Sequence, residues 1–124
     1  MSNQQHHVVV LGASPKPARY ANQAVRLLLQ HSYQVTPVHP NFPSIEGLPV
    51  AASLAEVTTP VDTLTLYLGA KHLEAHREAI LNLQPGRVIF NPGTECELLQ
   101  QALDTANIEW FEACTLVLLR TNQF

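Results

Sequence analysis

The chain has 124 residues, 46% of them hydrophobic, which suits one compact domain with its own core. Seven Lys and Arg against ten Asp and Glu leave a net charge of −3, and the basic residues are scattered, so neither a nucleic-acid backbone nor an anionic membrane finds a basic patch to bind. Apolar runs such as Val8 to Leu11 and Leu116 to Leu119 are far short of the roughly 20 residues that cross a bilayer, and MSNQQHH lacks the pattern of a signal peptide, so the expected location is the cytoplasm.

Residues 1–7, including His6 and His7, read as a frayed terminus before a domain over 8–124. The run VVVLG predicts a first strand at 8–12, followed by the loop GASPKPARY. Ala21, Ala24, Val25, Leu28 and Leu29 fall on one stripe of a helix over 20–30, and a second strand follows at 34–38. The segment VHPNFPSIEGLP at 38–49, with three prolines and a glycine, reads as a surface connection. SLAE at 53–56 has the spacing of a capping box, in which the Ser oxygen bonds a free helix amide while the Glu reaches back.

Further along, a strand opens on Asp62 and runs over 62–68, a helix covers 71–83, and a strand follows at 87–90. TECE at 94–97 reads as a second capping box that starts a helix over 95–106, and a short strand is expected at 109–111. The final CTLVLLRTNQF is too apolar for a free tail, so Leu116 to Leu119 pack either on the core or across a homodimer interface. Strands apolar on both faces and separated by helices define an α/β domain. Its sheet is mainly parallel and five-stranded, doubly wound with helices on both faces.

In such a sheet, ligands bind beyond the carboxyl ends of the strands, and the first strand-to-helix turn forms a wall of the site. Gly12 permits a tight turn there, Ser14 offers a hydroxyl, and the helix amides together with Lys16 and Arg19 favour an anion. The full G-x-G-x-x-G signature is absent, and the second strand leads into PVHP, with His39, rather than into an acid that would hold a ribose 2′-hydroxyl. A standard NAD site is therefore disfavoured, and His39 with Lys16 and Arg19 better suits a phosphate on the ribose.

The stretches GASPKPARYANQAVRLLLQHSYQVTPVHP, EGLPVAASLAEV, VDTLTLY and NPGTECELLQQALDTANIEWFEACTLV resemble the small stand-alone CoA-binding domain proteins, relatives of the CoA-binding part of succinyl-CoA synthetase. The resemblance implies a Rossmann-like fold that binds CoA or an acyl-CoA. Gly12, Ala13, Ser14 and the region of Lys16, Pro17, Arg19 and Tyr20 would face the phosphates, and Val38, His39 and Pro40 would flank the adenosine. The family usually has Asn where this chain has His39, and Gln-Pro-Gly where this chain has Asn91, Pro92 and Gly93; Asn91 and Gly93 are carried over as ligand-side residues. The resemblance also places Cys114 near the CoA thiol.

Each remaining residue of interest has an ordinary explanation beside the functional one. Cys114 has no base predicted beside it, and a free cysteine is commonly a small buried hydrophobe. Cys96 has no C-x-x-C partner. His72 and His76 share a helix face, a spacing compatible with a metal, but H-E-x-x-H is not met and a solvated face is the simpler reading. Glu95 and Glu97 suit a helix N-terminus, and Tyr67 either stacks on adenine or packs in the sheet. No paired carboxylates or nucleophile with its base can be argued, so a non-catalytic binding module is expected. An NAD(H)-sensing or other nucleotide-sensing domain and a thiol or acyl transferase using Cys114 are the alternatives.

Overall fold

The computed structural model describes residues 5–124. Five parallel strands form one sheet: β1 (His7–Leu11), β2 (Gln34–Val38), β5 (Thr63–Leu66), β6 (Arg87–Phe90) and β7 (Glu109–Glu112), in the order β2-β1-β5-β6-β7. The intervening helices are α1 (Tyr20–Gln30), α2 (Ala70–Ala75), α3 (Arg77–Leu83), α4 (Glu97–Thr105) and α5 (Thr115–Arg120). Strand alternation separates two apolar layers. Val9, Leu11, Leu64, Leu66, Val88 and Phe90 pack with Leu73, Ile80, Leu99 and Leu103 of α2 to α4. Val8 and Val10 pack on the other face with Val25, Leu28 and Leu119 of α1 and α5. The sheet is thus doubly wound, as the apolar strands predict.

The inner strand β5 alternates Thr and Leu, all four residues buried. Its leucines join the α2–α4 layer, while its threonines turn to the other face and satisfy their hydroxyls there. Thr65 bonds Thr115 at 2.8 Å, and Thr63 accepts from Arg87 Nε at 2.8 Å. The edge strands carry their own protection. β7 exposes Glu109 and Glu112, and β2 tolerates Pro37 because its missing amide faces the outer side, where the strand pairs only with Ala51, whose amide donates to Pro37 O at 3.0 Å.

Several expected boundaries change. Residues 1–4 of the segment read as terminal lie outside the described residues, but His7 is 3% exposed in β1 and His6 bonds Thr63 through Nε2 at 2.8 Å. His7 is held by Pro60 O on Nδ1 (2.9 Å) and Thr36 Oγ1 on Nε2 (2.7 Å), so its ring is fixed at the amino end of the sheet rather than frayed. The connection after β2 contains a small antiparallel hairpin, β3 (Ser44–Ile45) and β4 (Leu48–Pro49), turned by Glu46 and Gly47 at φ of 51° and 77°.

The helix expected over 71–83 breaks at His76, whose Nδ1 donates to the carbonyl of His72 at 2.8 Å, a local bond that competes with the helix ladder. Neither capping box forms as expected. Ser53 makes no side-chain cap to a three-residue 3-10 turn at Leu54–Glu56, although Glu56 accepts from Ala52 N at 3.2 Å. Thr94 donates to Asn91 O at 2.7 Å inside the turn, and α4 starts later, after Cys96. In the C-terminal run, Leu116 and Leu119 are buried in the core, and Val117 is left outward.

Candidate functional site

Strand order reverses between β1 and β5, because α1 returns the chain to β2 on one side and the next crossover leads to β5 on the other. The carboxyl ends of these two strands carry Gly12 and Tyr67-Leu68. Gly12 has φ of +87°, and a Cβ there would lie 2.8 Å from Leu68 Cδ2 and 3.0 Å from the Tyr67 carbonyl. Both the backbone angle and the space require glycine. The amides of Gly12 and Ala13 are spent on the Val38 carbonyl (3.2 and 3.3 Å), which ties the first loop to the end of β2. The groups of this loop left free to face a ligand are the leading amides of α1, which have no partner inside the helix, and the side chains of Lys16 and Arg19.

The loop is held from below by a residue that sequence reasoning did not single out. Asn22, fully buried in α1, donates through Nδ2 to Ser14 O (2.9 Å) and to Glu46 Oε2 (3.1 Å), and accepts from Arg26 Nε (2.8 Å). Arg26 also reaches Pro17 O at 2.9 Å, and Ser14 Oγ accepts from Lys16 N at 3.1 Å. The first loop, the β3–β4 hairpin and the first turns of α1 are therefore one hydrogen-bonded unit. A polar residue on the apolar stripe of a predicted helix was the available signal for Asn22.

Three hollows with shared walls run along this edge. The central one, about 430 Å³, is lined by Gly12, Ser14, Lys16, Arg19, Tyr20 and Tyr67 among others. A hollow of about 270 Å³ on the β2 side shares Gly12, His39 and Leu68 with it and adds Val38, Pro40 and two further histidines, His72 and His76. A third, about 370 Å³, lies on the β6 side, shares Tyr20 and Tyr67 with the central one, and adds Asn91, Cys114, Leu116 and Arg120. Volumes of this size lie in or near the range of small-molecule sites.

Of the residues expected at the site, Gly12, Ala13, Ser14, Lys16, Arg19, Tyr20, Val38, His39, Pro40, Asn91 and Cys114 line this run. Pro17 and Gly93 line none of the three. Pro17 instead gives its carbonyl to Arg26, and Gly93 supplies a φ of +90° while its amide donates to the Glu95 carboxylate at 3.1 Å. Asn91 is 2% exposed and its amide works inward. Nδ2 donates to Thr65 Oγ1 (2.7 Å) and Leu66 O (2.9 Å), and Oδ1 accepts from Thr115 N (2.8 Å). It thereby locks β5, β6 and the start of α5 together behind the hollow.

The charges at this edge are unmatched. Among the described residues the one ion pair is Arg77–Glu78 at 3.8 Å, on the surface, and neither Lys16 nor Arg19 has a side-chain partner. Tyr67 forms the wall between the central and β6-side hollows, with its hydroxyl oxygen buried and without a hydrogen bond. Burial pushes its phenol up to about 12, with the neighbouring Thr115 hydroxyl opposing the shift and Cys114 adding to it. His39 is half-buried, accepts on Nδ1 from Asn41 N at 3.0 Å and rests against Phe42 with ring centroids 4.5 Å apart. Among the described residues no three His, Cys, Asp or Glu side chains converge on a metal-holding group.

A single doubly wound domain with its hollows at the topological switch point is a Rossmann-like architecture. The chain belongs to the CoA binding domain family, whose model matches residues 6–120. A crystal structure of an uncharacterized protein is similar at 37% identity and a TM-score of 0.90, over 96% of this chain and 98% of that one. The protein ID.343 from Thermus thermophilus is similar at 29% identity and a TM-score of 0.89, over 100% of both chains. The fold also matches part of the dinucleotide forming acetyl-coenzyme A synthetase 1 of Ca. Korarchaeum cryptofilum, at 16% identity and a TM-score of 0.75, over 88% of this chain and 26% of that one. No curated protein matches the chain at a significant level.

Proposed function

We propose that this protein binds CoA or an acyl-CoA along the carboxyl edge of its sheet and acts as a binding module without catalysis of its own. The observation that carries this reading is the run of three hollows with the unpaired cations Lys16 and Arg19 at its centre. A molecule with an adenosine end, a charged middle and a long neutral arm matches that sequence of surfaces. The pyrophosphate lies at the central hollow, against Lys16, Arg19 and the first amides of α1. The adenosine occupies the β2-side hollow beside His39, and the arm passes Tyr67 toward Cys114. Membership of the CoA binding domain family supports the same ligand.

The non-catalytic reading rests on the β6-side walls. They hold a cysteine but no His, Asp or Glu to take or give a proton. Thermal unfolding with CoA, dephospho-CoA, NAD and NADH titrated separately tests the ligand, since a ligand bound only to the native state stabilises by about 2.7 kcal/mol at a hundred times its dissociation constant. A shift of several degrees with CoA and a smaller one with NADH is the expected result. A larger shift with NADH would replace this reading by a nucleotide-sensing one, and an acyl adduct on Cys114 in mass spectrometry would replace it by a transferase.

A further inference from the structure

The β6-side hollow has one cation and no anion among its walls. Arg120 is the only Lys, Arg, Asp or Glu there; the rest of the lining is Tyr20, Tyr67, Asn91, Pro92, Cys114 and Leu116. Asn91 has its amide committed to Thr65, Leu66 and Thr115, so it offers little to a ligand. Arg120 is exposed and ends α5, and among the described residues no carboxylate lies within ion-pair distance of it. A cation in the last turn of a helix is favourable by itself, through the helix dipole. That effect requires only proximity to the last carbonyls and leaves the donors of the guanidinium unspent on the side that lines the hollow.

The hollow is entered from the central one past Tyr20 and Tyr67, which line both. If Lys16 and Arg19 take the phosphates, the far end of the arm and whatever it carries lie in the β6-side hollow. About 370 Å³ then receives part of the arm and the start of the acyl group, so that a group of a few carbons ends beside Arg120. A planar guanidinium at the wall of a neutral chamber selects a carboxylate, which it meets with two parallel hydrogen bonds. We propose that the β6-side hollow receives the acyl group of a CoA thioester and prefers short acyl groups that end in a carboxylate, with Arg120 as the residue that reads that carboxylate. This rests on the CoA reading above.

Calorimetric titration of CoA and of three length-matched pairs tests it: propionyl- with malonyl-CoA, butyryl- with succinyl-CoA, and pentanoyl- with glutaryl-CoA. In at least one pair the dicarboxylic thioester is expected to bind about fivefold tighter at low salt, the upper end for a solvent-exposed ion pair. Arg120→Gln is expected to erase that preference while leaving CoA affinity unchanged and lowering the melting temperature by no more than a few degrees, through the lost helix-dipole contact, and Arg120→Lys to restore part of it. Equal affinities within every pair, with CoA still bound, would overturn the inference and leave the CoA reading standing. A loss of CoA affinity in Arg120→Gln as large as that for the thioesters would also overturn it, by placing the arginine on CoA itself. Failure of all seven ligands to bind would overturn both readings.

Discussion

Gly12 and Leu68 meet at the point where strand order reverses, so closely that a single methyl on Gly12 would stand 2.8 Å from Leu68 Cδ2. Both residues line the central hollow and both also line the hollow on the β2 side. Gly12→Ala combines a left-handed backbone angle with an overlap that Leu68 must yield to, and the Tyr67 carbonyl at 3.0 Å limits how far the strand can move. The expected cost is on the order of 2 to 4 kcal/mol, measured by urea unfolding. An unchanged unfolding midpoint would show that the loop relaxes freely.

Lys16 and Arg19 line the central hollow and not the one beside Val38 and Pro40. Their charges are therefore expected on the pyrophosphate rather than on the ribose phosphate. Lys16→Ala and Arg19→Ala should weaken CoA and dephospho-CoA by the same factor, about three- to tenfold each at low ionic strength, and less as salt is added. A loss confined to CoA would instead move these side chains to the 3′-phosphate.

Asn22 joins the loop, the hairpin and α1 through three hydrogen bonds while fully buried. Asn22→Ala leaves the Ser14 carbonyl and Arg26 Nε without that partner, at an expected cost of about 1 to 3 kcal/mol in denaturant unfolding. CoA affinity should fall with it, although Asn22 lines none of the three hollows, because the loop that carries Lys16 loses its support. An affinity unchanged in a destabilised variant would separate the loop geometry from this network.

The chain's strands are legible because β1 and β6 carry apolar residues on both faces, a pattern that a covered parallel sheet explains. The position of the candidate site is legible for the same reason, since a doubly wound sheet leaves a crevice at the carboxyl ends of its strands beside the first loop. What the sequence conceals is decided by tertiary partners. His7 reads as a polar terminal residue, and becomes part of β1 because Pro60 and Thr36 satisfy both ring nitrogens. The E-G turn of β3–β4 lacks the usual Asn-Gly or Asp-Gly signal, and two-residue strands carry no periodicity. Thr94 has the spacing of a cap, yet its hydroxyl finds the Asn91 carbonyl first. Asn91 lines the hollow but spends its amide on the fold, whereas Arg120, directly after the buried Leu119, reads as surface charge until the hollow beside it is seen.

Tyr67 gives a prediction at alkaline pH. Its folded pKa is about 12 against 10.0 for a free phenol, so the stabilisation is complete below pH 10 and is lost as pH rises through 12. The loss is on the order of 2 to 3 kcal/mol. Tyr67→Phe should abolish this part of the alkaline decline, measured as the difference in unfolding free energy between pH 9 and pH 11.5. At pH 7 the same variant should differ little from the parent, since the buried hydroxyl it removes lies near Thr115 and Thr65 without a well-formed hydrogen bond to either.

His6 predicts the opposite direction in acid. Desolvation lowers its pKa below 6.5, with Asp62 opposing and Arg87 and His7 adding to the shift, and its neutral ring bonds the Thr63 hydroxyl at 2.8 Å. Because the folded value is depressed, the stabilisation is present above pH 6.5 and is lost as pH falls below it. His6→Gln should flatten the fall in melting temperature between pH 7 and pH 5; a slope equal to that of the parent would assign the acid sensitivity elsewhere.

The central claim is that CoA lies along the carboxyl edge from His39 to Cys114, and amide chemical-shift mapping of the labelled protein during a CoA titration tests it most directly. Shifts are predicted at Gly12 through Asn22, at His39, at Tyr67 and Leu68, and at Cys114, with little change at the opposite edge around His7, Asp62 and Arg87. Saturable shifts centred on that opposite edge, or no shifts at millimolar CoA, would contradict the claim.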